Sequence, residues 1–363
     1  MEQILFFSGA MVIKTVRTDG RGCFMLREKI FEYPLDTKAL IRKKRELKRR
    51  LEKQQGLLTK RIAILGGSTT NEVVDQLELF LLYQGIKPEF YQSEYGQYET
   101  DALFGNEMLD KFRPDVIYIH TSWRNLKEFP EVGDDEATVE AKLHREYQRF
   151  LAIWRALEKR FDVPVVQNNF ERPLYRLLGN RDIWDRHGAS NFISRLNQLF
   201  YERARADEHL LINDIDYLAS EYGLSAWHDP QYWYLYKYAL ALEAVPYLAK
   251  NVADMIKAIY GRNKKLLALD CDQTLWGGII SEDGVEHIKI GKETASGELY
   301  TEFQEYLLQL KKMGILLAIN SKNDEENVLL GLQHADSILK PDDFVEIEAN
   351  WENKDENLSL IHI

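Results

Sequence analysis

Short apolar runs alternate with longer amphipathic stretches along most of this chain. The first apolar run covers residues 62–65, passes through a turn at 66–70 that begins with two glycines, and leads into an amphipathic stretch over 71–84. Further apolar runs occupy 89–91, 116–120, 163–167 and 209–212, with helical patterns over 136–160 and 191–206 between them. Strands that alternate with helices form parallel sheets covered on both faces. The pattern therefore predicts an α/β fold with a doubly wound parallel sheet of the flavodoxin type.

The alternation begins again after a polar turn at 261–265. An apolar run at 266–269 is followed by helical patterns over 297–313 and 324–332 and by strand patterns over 315–320 and 344–347. A chain of 363 residues is long enough for two domains of about 150 residues and a short extra segment. We expect an accessory segment over 1–60, an α/β domain over 61–245, a helical linker over 246–264, and a second doubly wound, Rossmann-like domain over 265–363.

The accessory segment contains the strongest local charge in the sequence. Residues 42–53 carry eight basic side chains against two acidic ones, in a chain whose net charge is −11. A helical stripe of apolar residues runs through this region and consists of Leu40, Leu47, Leu51 and Leu58. Because no aromatic residue interrupts the basic run, we expect a solvated helix of mixed charge and do not expect a nucleic acid as partner.

Several classes of protein are excluded by what the sequence lacks. No stretch of 18 or more apolar residues is present, so we expect no membrane span and no membrane partner. The first residues show neither the basic start nor the cleavage site of a signal peptide. Cys23 and Cys271 are the two cysteines, and their separation fits neither a disulfide framework nor a zinc site. We therefore expect a cytoplasmic protein.

Two aspartates follow the apolar run at 266–269 directly. Asp270 and Asp272 are two residues apart, so that their side chains can point to the same side of an extended backbone. Open α/β sheets bind ligands at this end of their strands. Two neighbouring carboxylates repel each other unless a cation lies between them or one keeps a proton. One carboxylate could then attack phosphorus and the other could transfer protons, with Mg²⁺ screening the charges.

Two further polar residues lie where the next strands are predicted to end. Ser321 closes the strand pattern at 315–320, where a hydroxyl and backbone N–H groups before a helix suit a phosphate oxygen. Lys354 follows the strand pattern at 344–347, where an ammonium group could neutralise phosphate charge. Asn323 could cap the helix that follows Ser321. The order and placement of these residues favour phosphoryl transfer over a set of unrelated surface groups.

The motifs around these residues resemble the haloacid dehalogenase (HAD) superfamily. Asp-x-Asp-x-Thr at 270–274, followed by Leu-Trp-Gly-Gly, is similar to its first motif, and residues 274–284 resemble the FkbH-like branch. Residues 320–323 (Asn-Ser-Lys-Asn) and 349–354 resemble the second and third motifs of that branch. The resemblance implies that Asp270 is the nucleophile and Asp272 the general acid and base. It also implies that Ser321, Lys354 and Asn320 bind the phosphoryl group, and that Mg²⁺ is held by the Asp270 carboxylate and the Asp272 carbonyl.

The sequence departs from the superfamily pattern in two ways. Nothing after Lys354 resembles the acidic fourth motif that completes the metal site, so we expect the chain to be a truncated piece of a longer protein. The span 277–296 is also too short for a large cap domain, which predicts an open site. An open site suits a bulky substrate, and the expected partners are a phosphorylated small molecule or an acyl carrier protein.

The FkbH-like branch also carries an N-terminal domain that is similar to SGNH hydrolases. Leu-Gly-Gly-Ser at 65–68 resembles their first block, with Ser68 as candidate nucleophile, and His228 lies where their late histidine would. Their usual aspartate three residues earlier is Ser225 here, and their Gly-x-Asn-Asp block is absent. A serine and histidine without an orienting acid or an oxyanion donor predict a weak hydrolase. The alternative is a plain strand-to-helix turn or an anion site at a helix N-terminus.

Four functional hypotheses therefore stay open. The leading one is a Mg²⁺-dependent phosphatase or phosphotransferase that forms an aspartyl-phosphate. The second is the reaction associated with the FkbH-like branch, transfer of a glyceryl unit from a phosphorylated glycerate to an acyl carrier protein; we expect Cys271 to be buried, which leaves no convincing thiol for it. The third is a non-catalytic adaptor, and the fourth is ester hydrolysis by the middle domain.

Overall fold

The computed structural model describes residues 29–351, which divide into two compact units, 29–262 and 263–351. Each unit contains its own parallel sheet, which confirms the predicted α/β class. Cys23 and Lys354 lie outside the described residues. Within residues 29–351, none of the helices combines the length and the apolar character that crossing a lipid bilayer requires.

The first unit is organised by a five-stranded parallel sheet with the order β2-β1-β3-β4-β5. Its strands are β1 (Leu58–Gly66), β2 (Ile86–Gln92), β3 (Val116–His120), β4 (Val165–Asn168) and β5 (Leu210–Asn213). The chain runs from β1 to β2 on one side of β1 and then crosses to β3 on its other side. The direction in which strands are added therefore reverses between β1 and β3. In open parallel sheets, such a reversal opens a crevice at the carboxyl ends of the two strands.

Helices cover both faces of this sheet. They are α1 (Thr37–Arg42), α2 (Lys44–Leu51), α3 (Asn71–Tyr83), α4 (Tyr98–Leu103), α5 (Glu107–Phe112), α6 (Glu136–Phe161), α7 (Ala189–Arg205), α8 (Ile215–Tyr222), α9 (Leu224–Trp227), α10 (Pro230–Tyr236) and α11 (Val245–Ile259). Successive residues of β1 face opposite sides, so Ile62 and Ile64 pack into one core with α3 and α11, while Ala63 and Leu65 pack into the other with α6 and α7. Burial on both faces explains why the strands are almost continuously apolar.

The segments predicted as accessory arm and linker pack into this first unit where they are described. Leu40, Leu47 and Leu51 are fully buried in the same core as α3, whereas Leu58 belongs to β1 and not to the helical stripe. The helix α11, which falls in the predicted linker 246–264, buries one apolar face against α3. An amphipathic helix beside a sheet gains more by covering the core than by spanning solvent.

The basic run in α1 and α2 finds acidic partners on α3. Lys44 Nζ lies 3.0 Å from Glu72 Oε2 and 2.6 Å from Asp75 Oδ2, and Lys48 Nζ lies 2.7 Å from Glu78 Oε2. These pairs are partly exposed, so each contributes on the order of 1 kcal/mol or less. Part of the positive charge is therefore compensated within the chain.

The second unit has a three-stranded parallel sheet with the order β6-β7-β8. Its strands are β6 (Leu266–Leu269), β7 (Leu316–Ser321) and β8 (Glu346–Ala349), and its helices are α12 (Ile280–Asp283), α13 (Ala295–Lys312) and α14 (Glu325–Gln333). Gln304 of α13 is fully buried and ties loops together: its Nε2 donates to the carbonyl of Leu275, and its Oε1 accepts from the backbone N–H of Ile338 and of Leu339. The hydrogen bonds of Gln304 thereby hold the loop after β6 in place.

Candidate functional site

Asp270 begins the loop after β6, and Ser321 is the last residue of the neighbouring strand β7. Because the two strands are parallel and pair directly, their carboxyl ends meet at one edge of the sheet. The Ser321 hydroxyl donates a hydrogen bond of 2.9 Å to Asp270 Oδ1, which also accepts from the backbone N–H of Cys271 at 3.0 Å. Two residues that lie 51 positions apart in the sequence are thus brought into direct contact.

Asp272 is held by three hydrogen-bond donors. Its Oδ1 accepts from Trp276 Nε1 at 2.9 Å and from the backbone N–H of Ile280 at 3.2 Å. Its Oδ2 accepts from Asn323 Nδ2 at 2.9 Å. These donors come from the loop itself, from α12 and from the loop before α14, so the carboxylate links three separate segments. Its orientation is therefore set by the surrounding structure.

Sequence reasoning assigned no role to Trp276, and it predicted Asn323 only as a helix cap, whereas the N-cap residue of α14 is Asp324. The Trp276 ring is fully buried and Asn323 is almost so. Asn323 Oδ1 accepts from the backbone N–H of Asp324, but its amide group is directed at Asp272. Both residues lie within quoted motifs, Leu-Trp-Gly-Gly and Asn-Ser-Lys-Asn, and that position was the only signal that could have found them.

The loop between Asp270 and Gly277 turns back on itself. Gln273 has a φ of +55°, a left-handed conformation that a non-glycine residue rarely adopts, and its side chain accepts a hydrogen bond of 3.2 Å from the Tyr300 hydroxyl. Gly277 approaches Tyr300 so closely that a Cβ would lie 2.6 Å from a ring carbon. The turn brings the Trp276 indole back to the carboxylate four residues before it.

The oxygen atoms at this edge are hard donors of the kind that Mg²⁺ prefers over softer ligands. Within residues 29–351, no group of three or more His, Cys, Asp and Glu residues is placed to hold a metal ion. Mg²⁺ is commonly bound by one or two carboxylates, with waters and substrate phosphates as its other ligands. The Asp270 carboxylate and the Asp272 backbone carbonyl are hard oxygen donors of this kind, whereas the buried Cys271 thiol beside them belongs to the apolar core.

The predicted pair in the first unit does not form. Ser68 is 2% exposed and its hydroxyl has no hydrogen-bond partner, so it is not bonded to His228. His228 Nε2 lies 3.2 Å from the backbone carbonyl of Arg172, and burial lowers the pKa of its ring. A serine activated by a neighbouring histidine requires a hydrogen bond between them, and here the histidine is engaged elsewhere.

A different histidine, His120, lies at the carboxyl end of β3. Its Nδ1 is 3.0 Å from the Tyr118 hydroxyl and 3.2 Å from Asn168 Nδ2, within a buried polar network that continues to Asn213. Its Nε2 has no partner, and burial lowers the pKa of the ring to about 4. His120 is therefore neutral at pH 7. The sequence showed it only as part of an unassigned strand end.

Burial of His120 makes the stability of the first unit depend on pH. The unfolded ring binds a proton below about pH 6.5, whereas the folded ring does so only near pH 4, so stability falls as the pH drops through that window. Between pH 7 and pH 4.5, the wild type should lose roughly 2–3 kcal/mol more than His120→Gln in urea unfolding followed by tryptophan fluorescence. Other titrating groups are common to both proteins, and an equal loss in both would contradict this assignment.

Comparisons with known proteins bear on both units. Residues 61–257 match the family model described as FkbH, N-terminal domain. Among solved structures, the chain is similar to the N-terminal part of the protein BF1531 from Bacteroides fragilis, which contains a phosphatase domain and is complexed with Mg. The identity is 26% and the TM-score 0.75, over 88% of this chain and 84% of that one.

Other solved structures are much less similar to this chain. The C-terminal catalytic domain of peptidoglycan O-acetyltransferase A from Streptococcus pneumoniae has 16% identity and a TM-score of 0.32, over 57% of this chain and 96% of that one. A GDSL-like lipase from Bacteroides thetaiotaomicron has 12% identity and a TM-score of 0.32, over 62% of this chain and 98% of that one. TM-scores this low support no argument about fold or function. None of the curated proteins compared with the chain matches it.

Proposed function

This chain belongs to the family of FkbH N-terminal domains, whose model matches more than half of its length, and on that premise we propose that its second unit is a Mg²⁺-dependent phosphatase or phosphotransferase of the HAD type. The similarity to the N-terminal part of BF1531 supports a phosphatase-like function, because that part of the protein contains a phosphatase domain. The more specific parts of the proposal rest on the residues of the second unit.

One observation carries the proposal: the Ser321 hydroxyl lies 2.9 Å from Asp270 Oδ1. Both groups lie at the carboxyl ends of adjacent parallel strands, where ligands bind in such sheets. A nucleophile and a hydroxyl that share this edge can hold one phosphoryl group between them, the first at phosphorus and the second at a phosphoryl oxygen. Asn320, which is nearly buried at the end of β7, is proposed as a further contact for that group.

The proposed reaction has two steps. In the first, a carboxylate oxygen of Asp270 attacks phosphorus, the bond from phosphorus to the substrate oxygen breaks, and Asp272 gives its proton to that leaving oxygen. In the second, Asp272 takes a proton from water, the water oxygen attacks phosphorus, and the bond from phosphorus to Asp270 breaks. Inorganic phosphate is released, and both aspartates return to their starting state.

The residues proposed to hold Mg²⁺ are Asp270, through its carboxylate, and Asp272, through its backbone carbonyl. The ion, when bound, would screen the negative carboxylate from the negative phosphate and orient both. That BF1531 is complexed with Mg supports this choice of ion. Lys354 is proposed to add positive charge to the phosphate site, on the basis of its motif alone.

Removal of Mg²⁺ tests the proposal. Phosphate release from p-nitrophenyl phosphate by the full chain should fall on the order of 10²-fold or more when EDTA is added, because several kcal/mol of charge stabilisation is lost. Adding excess Mg²⁺ should restore the rate, whereas Ca²⁺, which prefers more ligands at longer distances, should not. A rate that persists in EDTA would contradict the proposed role of the metal.

The alternative functions receive less support from the described residues. Cys271 is fully buried, so it is not placed to carry an acyl group in glyceryl transfer. Ester hydrolysis by Ser68 and His228 lacks the hydrogen bond that would activate the serine. Neither observation favours a second candidate over phosphoryl transfer.

A further inference from the structure

Arg124, in the loop after β3, has its guanidinium between two indole rings. Its Cζ lies 4.6 Å from the ring centroid of Trp123 and 4.5 Å from that of Trp233. Within residues 29–351, no ion pair and no side-chain hydrogen bond engages this guanidinium. Stacking on aromatic rings fixes the orientation of a guanidinium and leaves the N–H donors at its edge available for hydrogen bonds. A half-buried arginine with unused donors can bind a carboxylate or a phosphate through two parallel hydrogen bonds, as a bidentate pair.

A second cation lies on the same aromatic rings. Lys237 Nζ is 5.4 Å from the centroid of Trp233 and 6.0 Å from that of Tyr234, and it too has no ion pair in the described part of the chain. Other arginines of this unit that lie over aromatic rings, such as Arg149 and Arg181, are paired with an acidic residue. Two cations that share the Trp233 ring and have no ion pair among the described residues point to an anion from outside the chain.

Three loops converge at this point. The backbone N–H of Thr69 donates to the carbonyl of Lys237 at 3.0 Å, and Asn125 Nδ2 donates to the carbonyl of Gly67 at 2.7 Å. The backbone N–H of Gly67 in turn donates to the carbonyl of His120. The loops after β1, β3 and α10 thus meet at the carboxyl ends of β1 and β3, where the strand order reverses and ligands bind in sheets of this type.

The junction of these loops contains a buried hydroxyl without a partner. Ser68 lies between Gly67 and Thr69, is 2% exposed, and its Oγ makes no hydrogen bond. The thirteen-residue helix α3 begins directly afterwards, and its N-cap residue Thr70 makes no side-chain bond to the first turn. An unsatisfied hydroxyl at such a place has a cost that a bound oxygen atom would remove.

Glu171 is the carboxyl group that interacts electrostatically with Arg124, but it does not neutralise the positive charge of the guanidinium. Glu171 accepts a hydrogen bond from the backbone N–H of Trp123, and burial raises the pKa of its carboxyl to about 8. Glu171 is therefore mostly uncharged at pH 7. The rim around the cations is aromatic and open: Tyr175, which packs edge-on against Trp123, and Tyr234 are each 71% exposed.

We propose that the carboxyl edge of the five-stranded sheet, at Arg124, Lys237 and Ser68, is a second ligand site, and that it binds a small organic anion whose phosphate or carboxylate group adjoins a flat apolar moiety. The guanidinium and the ammonium bind the charged group, and the Ser68 hydroxyl donates to one of its oxygens. The exposed rings of Tyr175 and Tyr234 contact the apolar part. The site does not depend on the chemistry of the second unit.

Titration with stable anions tests this site. Phenylphosphonate and benzoate are added separately to the full chain in EDTA, and binding is followed by calorimetry and by the fluorescence of Trp123 and Trp233. At least one of the two should bind, and Arg124→Met should weaken that binding roughly 10-fold or more, since a charge-assisted hydrogen-bonded pair is lost. Lys237→Met should weaken it several-fold and provides the test if Arg124→Met does not fold.

Arg181→Met is the matched control. Arg181 also lies over an indole, that of Trp184 at 5.4 Å, but it is paired with Asp185 at 2.6 Å. This variant should bind the anion like the wild type, and all three variants should keep the phosphate release of the second unit. Which anion binds identifies the charged group that the site accepts. Equal affinity of wild type and Arg124→Met, or no binding of either anion at millimolar concentration, would overturn the proposal.

Discussion

Replacing Asp270 with asparagine is expected to lower phosphate release from an aryl phosphate at least about 10³-fold. The amide keeps the shape of the carboxyl group and can still accept the hydrogen bonds of Ser321 and of the Cys271 backbone. It lacks the negative oxygen that attacks phosphorus, and its charge no longer attracts Mg²⁺. Steady-state phosphate release by purified wild type and variant at saturating Mg²⁺ measures the effect.

The matched control for this prediction is Asp342→Asn. Asp342 is an exposed aspartate of the same unit whose side chain makes no hydrogen bond or ion pair among the described residues. This variant should release phosphate at the wild-type rate. If Asp270→Asn retains the wild-type rate as well, residue 270 is not the nucleophile and the proposed function is wrong.

Replacing Asp272 with asparagine is expected to have the second largest effect, and its size should depend on the leaving group. An alkyl phosphate needs a proton on its leaving oxygen, so the rate with such a substrate should fall about 10²–10⁴-fold when the general acid is lost. The p-nitrophenolate group leaves without that help, so release from p-nitrophenyl phosphate should fall less. Rates with both substrates, measured for wild type and variant, give the comparison.

This comparison separates a chemical role from a structural one. Asp272 accepts hydrogen bonds from Trp276, Ile280 and Asn323, so its removal also loosens the loop. Trp276→Phe removes one of those donors and keeps the carboxylate, so it should lower the rates with both substrates by a similar factor. If Asp272→Asn also lowers both rates equally, Asp272 positions the loop and does not transfer protons.

The fold followed from the sequence because the apolar runs that form a buried parallel sheet are continuous and their ends are polar. The strand bounds in the structure differ from the predicted ones by a few residues. The run at 62–65 extends back to Leu58, because pairing with β2 continues past the point where the side chains are apolar. The role of α11 was harder to predict, since periodicity shows an apolar face but not the surface that the face covers.

The candidate site was only partly visible in the sequence. The spacing of Asp270 and Ser321 relative to their strands predicted that they would meet, because parallel strands end at one edge. The contacts of Asp272 could not be predicted, since they depend on a loop that reverses through a positive φ at Gln273 and on a buried indole. The sequence also could not show that Arg124 and Lys237 lack an ion pair, because residues far apart in the sequence become neighbours only in the folded structure.

The most direct test of the phosphatase account is to trap the covalent intermediate. The full chain, mixed with Mg²⁺ and an aryl phosphate and quenched in acid, is digested and analysed by mass spectrometry. The proposal predicts one phosphoryl group on the peptide that contains Asp270, lost on treatment with hydroxylamine and absent from Asp270→Asn. Phosphate release without any label on Asp270, or a label that stays on Ser321, would contradict it.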